Sequence, residues 1–148
     1  MIVGVAIGGT KVAAALVTAD GEIRQKTRAP MASAGDAAMG FAAVKEAIGA
    51  IYTAAPEAGI TGIGMCSPGP LDPSTGVVLN PPNLPCWRNF PLAQETERAF
   101  GVPTRVDNDG NAAGLAEALW GPAVGYRNIF YATLGMGIGA GIVFDRKI

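Results

Sequence analysis

The chain has 148 residues, 49% of them hydrophobic, and a formal net charge of −1. This length fits one domain with an ample core, and the charge gives no field that would gather nucleic acid or anionic lipid. There is no histidine and no Cys-x-x-Cys pair, which argues against structural zinc and histidine-based catalysis. A basic, then apolar leader and a membrane-length apolar run are also not seen, so we expect a cytoplasmic protein.

The predicted elements begin with a three-stranded meander and continue as alternating helix and strand. Strands are expected over 2–7, 12–17 and 22–28, and apolar residues near 3.6-residue spacing predict a helix between 35 and 55. A short strand over 62–65 precedes a Pro- and Asn-rich loop with a small strand at 77–79. A helix over 92–100, a strand over 104–107, a helix over 110–120 and strands over 129–134 and 138–144 complete the chain. This order predicts an α/β fold whose mixed sheet is flanked by helices, within one domain over 1–148.

The first loop with chemical potential is Gly8-Gly9-Thr10-Lys11, between the first two predicted strands. Paired glycines let backbone N–H groups converge on an anion, and the hydroxyl and the ammonium group add further donors. The spacing of a Walker P-loop is not present. An ordinary hairpin turn explains the same residues, so both interpretations stay open.

A second glycine-rich loop runs over 135–141, with alternating Gly135, Gly137, Gly139 and Gly141. It formally satisfies a dinucleotide-binding fingerprint, but that fingerprint opens a helix, whereas "GIVFD" predicts a returning strand. Alternating glycines in a hairpin also permit a phosphate to approach the backbone closely. A plain glycine-rich turn is the alternative.

The third loop, "VDNDGNAA", carries carboxylates and amides from a strand into a helix. Asp109 is a candidate general base at the carboxyl end of the strand, where open α/β sheets bind their ligands. The helix N-terminus favours the ionised form that a base requires. The alternative is that Asp109 only caps the helix.

The stretches "IGGTK", "SPGPLD", "NPPNLPCW", "DNDGNAAGLAE" and "GMGIGAGIVFD" resemble, in this order, the ROK family of sugar kinases and sugar-responsive repressors. Bacterial glucokinases of that family are the nearest likeness. The resemblance covers the whole chain and implies an actin-like (ribonuclease-H-like) ATPase domain. It also implies that the loops at 8–11 and 135–141 bind ATP phosphates.

The family's mechanism assigns roles to particular residues of this sequence. Asp109 matches the base that takes the proton of the sugar hydroxyl as the hydroxyl attacks the γ-phosphate of ATP. Asn108 matches a sugar-binding amide, and Gly69 and Asn83 lie in loops that border the sugar. The phosphate-binding residues implied are Gly8, Gly9, Thr10, Lys11, Gly135, Gly137 and Gly139. ATP and Mg²⁺ are the implied cofactors, and phosphoryl transfer depends mainly on positioning and charge stabilisation.

Two positions depart from the family pattern. Ala6 stands where the family usually has an aspartate that helps hold the hydrated metal, so no metal ligand is predicted in this chain. Met136 stands where a threonine is usual, and its thioether has little hydrogen-bonding power. Ala6 is expected to impair metal affinity or catalysis, and Met136 is expected to crowd the loop beside the phosphates.

Family members continue past the position of Ile148 with sugar-contacting residues, a zinc motif and a second domain. We therefore expect this chain to be the N-terminal domain only, with weak or no kinase activity alone. The helix "NAAGLAEALW" and Trp120 are candidates for an exposed interface, which predicts a homodimer. The alternatives to a kinase domain are a non-catalytic sugar- or nucleotide-binding module and an inert assembly unit. No partner beyond sugar, nucleotide and a second copy is expected.

Overall fold

A computed structural model of the chain describes residues 1–134 and 137–148. The chain divides into two compact units, unit 1 over Met1–Asp107 and unit 2 over Asn108–Ile148. The single domain predicted over 1–148 stays a prediction. In chain order the elements are β1 (Ile2–Ile7), β2 (Lys11–Val17), β3 (Ile23–Pro30), α1 (Ala37–Ala54), β4 (Gly62–Ser67), β5 (Leu71–Asp72), β6 (Val77–Val78), α2 (Leu92–Phe100), β7 (Thr104–Asn108), α3 (Asp109–Trp120), β8 (Ile129–Leu134) and β9 (Ile138–Val143).

The main sheet has five strands in the order β3-β2-β1-β4-β7. The pairs β1–β2 and β2–β3 are antiparallel, and β1–β4 is parallel. The predicted meander and the mixed sheet are thereby confirmed. Two further pairs, β5–β6 and β8–β9, form separate two-stranded sheets.

One face of the main sheet carries the hydrophobic core of unit 1. Side chains alternate along a strand, so Val3, Val5 and Ile7 of β1 share one face, and all three are buried. Helix α1 covers this face of β1, β2 and β3 with a buried stripe that includes Val44, Ile48 and Ile51. The α1 N-terminus is capped by the Asp36 carboxylate, which accepts the Met39 amide at 2.8 Å.

The opposite face of the main sheet carries mainly small residues on β1, β2 and β4. Residues 4, 6, 13, 15, 62, 64 and 66 on β1, β2 and β4 are all Gly, Ala or Cys, and none of them is buried. We call this the open face of unit 1. Within residues 1–134 and 137–148, no helix is long and apolar enough to cross a bilayer.

Unit 2 consists of α3 packed against the β8–β9 hairpin. The packing depends on glycine: a Cβ at Gly110 would stand 2.4 Å from the Ala140 carbonyl oxygen, and one at Gly141 would stand 2.3 Å from the Gly110 carbonyl oxygen. Gly114 lies against Tyr131 in the same interface. Gly110 and Gly114 of α3 therefore serve contacts inside unit 2, whereas Leu119 and Trp120 of the same helix are exposed. The interface predicted at this helix stays a prediction.

The outward face of the hairpin is apolar. The exposed large side chains of β8 and β9 are Phe130, Leu134, Ile138 and Ile142, with Leu134 81% and Ile138 83% exposed. They form cross-strand pairs, Phe130 with Ile142 and Leu134 with Ile138. Trp120 at the end of α3 is also exposed, as predicted. We call Phe130, Leu134, Ile138 and Ile142 the outer hairpin face.

Candidate functional site

The first predicted phosphate loop is the turn between β1 and β2. The Gly8 amide donates to the Lys11 carbonyl at 2.9 Å, and the Met31 amide donates to the Thr10 carbonyl at 3.0 Å. No described residue accepts a hydrogen bond from the amides of Gly9 or Thr10. The turn is thus a hairpin that also presents two N–H groups, a hydroxyl and an ammonium group, which fit the charge and geometry of a phosphate.

Asn83 lies directly against this turn. A Cβ at Gly9 would stand 2.9 Å from the Asn83 carbonyl oxygen, so the close approach requires glycine at position 9. The neighbours Leu84 and Trp87 are buried and anchor the segment, and Trp87 Nε1 donates to the Ala37 carbonyl at 3.3 Å. The structure therefore brings one predicted phosphate residue and one predicted sugar residue together within unit 1.

Gly69 follows β4 and is half-buried, and its peptide bond to Pro70 is cis. Because β4 runs parallel to β1, Gly69 and the Gly8–Lys11 turn leave the sheet at the same edge. This is the edge at which parallel α/β sheets bind ligands.

Cys86 lies three residues after Asn83, and its thiol is partly buried. Burial raises the pKa of its thiol. A Cβ at Gly40 of α1 would stand 2.9 Å from its Sγ atom. A thiol that resists ionisation is a poor nucleophile, which favours a structural role for Cys86.

The position of Ala6 offers no carboxylate to a divalent cation. Ala6 is exposed at the carboxyl end of β1, on the open face, and its register partners are Ala13 and Cys66. Among the described residues, no group of three or more His, Cys, Asp or Glu side chains could hold a metal ion. The oxygen-rich ligand set that Mg²⁺ requires is not found at this position.

Asn108 and Asp109 join β7 to α3 in unit 2. The Asn108 Oδ1 atom caps the helix, accepting the amide of Gly110 at 2.9 Å and that of Asn111 at 3.4 Å. Asp109 is the first helical residue, is exposed, and its Oδ1 accepts the Gly110 amide at 2.9 Å. The cap is therefore Asn108, and the interpretation of Asp109 as the cap is wrong.

The second glycine loop joins β8 to β9. The predicted strand return is confirmed, since β9 begins at Ile138 and pairs antiparallel with β8. A Cβ at Gly137 would meet no atom of the described residues within 4 Å, whereas one at Gly139 would stand 2.9 Å from Thr133 Cγ2. Gly135 and Met136 lie outside the described residues. Packing against Thr133 explains why position 139 is glycine, but no packing contact with a described residue explains the glycine at position 137.

The structure assembles the predicted site in two parts. In unit 1 it joins Gly9 to Asn83 and places Gly69 at the same sheet edge as the turn. In unit 2 it joins Asn108 to Asp109 at the start of α3. That the two parts share one ligand stays a prediction.

Sequence reasoning missed a set of basic residues on the open face. Arg28 of β3 is the register partner of Ala13, and Lys26 is the partner of Ala15, so both share the face of Ala6. Lys11 shares it as well, two residues before Ala13 on β2. The alternation of Arg24, Lys26 and Arg28 in "IRQKTRAP" is a period-two signal that could have found them.

Comparison with known proteins gives a consistent result. The family model described as "ROK family" matches residues 2–148. The glucokinase of Streptomyces coelicolor is 34% identical over 149 residues, a match to 100% of this chain and 45% of the relative. The xylose repressor of Caldicellulosiruptor bescii is 39% identical over 90 residues, which cover 61% of this chain and 22% of the repressor.

Among solved structures, a ROK family glucokinase from Streptomyces griseus in complex with glucose and AMPPNP matches with a TM-score of 0.81 and 32% identity. The match covers 99% of this chain and 45% of that structure. The chain spans less than half the length of the curated glucokinases it matches. ROK sugar kinases have an actin-like ATPase fold, and the mixed sheet and helices described above share it. The chain belongs to the ROK family.

Proposed function

We propose that this chain is the part of an ATP-dependent sugar kinase that binds phosphate and sugar, with transfer of the γ-phosphoryl group of ATP to a hexose hydroxyl. The observation that carries the proposal is the Gly8–Lys11 turn, in which the amides of Gly9 and Thr10 are unused and Gly9 lies against Asn83. The likeness to glucokinases supports a hexose as the acceptor.

In this proposal Asp109 is the general base. Its carboxylate takes the proton of the attacking sugar hydroxyl while the new O–P bond forms and the bond to the β-phosphate oxygen breaks, which releases ADP. Because Asp109 is exposed in the first turn of α3, a sugar hydroxyl can reach its carboxylate. The capping role of Asn108 fixes the backbone that carries Asp109 and orients the Asn108 amide beside it.

The phosphates of ATP would contact Gly8, Gly9, Thr10 and Lys11 in unit 1, and Gly135, Gly137 and Gly139 in unit 2. Backbone N–H groups and a lysine stabilise the charge of a phosphoryl group in transfer without contributing covalent chemistry. The family resemblance implies Mg²⁺ as well, but Ala6 and its register partners Ala13 and Cys66 offer it no carboxylate. No step of the mechanism is assigned to the metal.

A second candidate is a sugar- or nucleotide-binding module without catalysis. The likeness to a xylose repressor and the alanine at position 6 favour it. It keeps the same binding residues and dispenses with the role of Asp109 as a base.

The proposed setting of either function is cytoplasmic, with sugar and nucleotide as ligands and neither nucleic acid nor membrane as a partner. The net charge of −1 supports the exclusion of nucleic acid. We further propose a homodimer formed through the outer hairpin face, because contiguous apolar side chains exposed to this degree favour association.

The test of the kinase is release of ADP from ATP at high protein concentration, with glucose and a panel of other hexoses. We expect a hexose-dependent rate that Asp109→Asn lowers by about 10²–10⁴-fold, the usual contribution of a general base. Glu57→Gln, a change at an exposed carboxylate before β4, is the matched control and should keep the rate. Hexose binding without a hexose-dependent rate would support the non-catalytic module instead.

A further inference from the structure

The open face around Ala6 has an unusual charge pattern for a nucleotide site. In one row across the sheet, Arg28, Ala13, Ala6 and Cys66 are register neighbours on β3, β2, β1 and β4. The row contains a guanidinium group and no carboxylate. The acidic strand residue nearest in strand order is Asp107 on β7, beyond β4.

Lys11 adds a second positive charge beside Ala6. It lies two residues before Ala13, the direct partner of Ala6, so the two residues form a diagonal cross-strand pair about 7–8 Å apart. Lys11 is exposed and makes no ion pair with any described carboxylate of unit 1. Lys26 lies one row further along the same face.

We propose that the Gly8–Lys11 turn binds a polyphosphate chain, that of a nucleoside triphosphate or of an inorganic polyphosphate, without a divalent cation held by the protein. This inference rests on the phosphate turn of the proposed function and assigns the positive charge to Lys11 and Arg28. The amides of Gly9 and Thr10 supply the directional hydrogen bonds.

This charge pattern predicts whether Mg²⁺ strengthens or weakens binding of the polyphosphate. A site with two cations and no carboxylate attracts the free triphosphate more strongly than its magnesium complex, which carries two fewer negative charges. Each unit of charge at contact distance in water changes affinity roughly fivefold. The loss of two charges therefore predicts that binding weakens by about 25-fold in Mg²⁺.

An aspartate at position 6 reverses the pattern. Its carboxylate would lie within reach of Lys11 and would offer a hydrated cation the anionic ligand that the wild-type row does not contain. We expect Ala6→Asp to bind the same anions weakly in EDTA and more tightly in Mg²⁺. Because Ala6 is exposed, the larger side chain does not enter the core.

The experiment is calorimetric titration of the full chain with AMPPNP and, separately, with inorganic tripolyphosphate, each in EDTA and in excess Mg²⁺. Wild type, Ala6→Asp and Lys11→Gln are compared, and Lys45→Gln on α1 is the matched control for loss of a surface charge. The expected result is tighter wild-type binding in EDTA, the opposite order for Ala6→Asp, weakened binding for Lys11→Gln, and no change for Lys45→Gln.

The two anions separate the possible sources of the phosphate. Equal affinities support recognition of the polyphosphate alone, and tighter AMPPNP binding supports added contacts from the nucleoside. Wild-type binding that requires Mg²⁺ as Ala6→Asp does would overturn this inference and leave the phosphate turn intact. Failure of the wild type to bind either anion in either buffer would overturn the phosphate turn of the proposed function as well.

Discussion

Gly137 and Gly141 lie four residues apart in the same loop and strand, yet a side chain would have opposite consequences at each. Gly141 touches the backbone of Gly110 in α3, so a methyl group there forces the helix off the hairpin. A Cβ at Gly137 would meet no described residue within 4 Å, and the φ of Gly137 lies outside the left-handed region. The freedom of Gly137 is thus available to a ligand and is not used for packing.

We predict that Gly137→Ala changes the free energy of unfolding by less than about 0.5 kcal/mol, as for a surface substitution. It should weaken AMPPNP binding, because the added methyl group stands where a phosphate approaches the backbone. Gly141→Ala should destabilise the chain by about 1–3 kcal/mol through overpacking. Urea denaturation measures the free energies of unfolding of both variants, and calorimetry measures the AMPPNP affinity of Gly137→Ala.

A Gly137→Ala variant that is as stable as the wild type and binds AMPPNP equally well would contradict a phosphate role for this loop. Gly64→Ala is the control within unit 1, since a Cβ at Gly64 also meets nothing within 4 Å.

At the residue scale the sequence indicated which residue types matter but not always their roles. Asp109 and Asn108 are adjacent, and both types cap helices well. Which one caps depends on where the backbone leaves the extended conformation, and that boundary is set by packing of the helix on the hairpin. The basic pattern on β3 was missed because side chains on neighbouring strands meet only once the register is known.

At the scale of elements, helix α1 contains two glycines with different surroundings. A Cβ at Gly40 would stand 2.9 Å from Cys86 Sγ and 3.1 Å from Trp87 Nε1, whereas one at Gly49 would meet nothing within 4 Å. Glycine in a helix interior costs about 0.5–1 kcal/mol relative to alanine. Glycine at position 49 lowers helix stability without making room for any contact. Glycine at position 40 lowers it as well, but its missing side chain lets the segment around Trp87 pack on the helix.

We predict that Gly49→Ala stabilises the chain by about 0.5–1 kcal/mol. Gly40→Ala should destabilise it by about 1–3 kcal/mol, because the methyl group displaces the buried Trp87. Urea denaturation of both variants, with unchanged slope, measures the two values. Equal effects of the two substitutions would mean that Trp87 does not pack on α1 as described.

Most elements could be predicted because their periodicities are strong. The alternation in β1 and β2 and the 3.6-residue stripe of α1 each reflect one buried face, and the observed bounds differ from the predicted ones by a few residues. The exception is β5, whose two residues are too few to show any alternation. Strand order was beyond the sequence alone, because it depends on how the connections cross the sheet.

At the scale of the whole molecule, the two units differ in how they bury apolar surface. The hydrophobic core cluster lies entirely between Val3 and Val106, in unit 1. Among the described hydrophobic residues of unit 2, only Ala118 and Val143 are buried. The resemblance predicted the family and the fold from motif order, but motif order carries no information on which surfaces each unit leaves uncovered.

The outer hairpin face therefore decides how this chain behaves in solution, and we predict that it forms the dimer. Ile142→Lys should weaken dimerisation by more than about a hundredfold, since a symmetric contact loses two buried isoleucines, each worth about 1.5–3 kcal/mol. Met39→Lys on α1 is the control, because Met39 is similarly exposed in unit 1. Light scattering across micromolar concentrations measures the masses. A monomeric wild type would refute the dimer, and a dimer that Met39→Lys disrupts while Ile142→Lys does not would place the interface on unit 1.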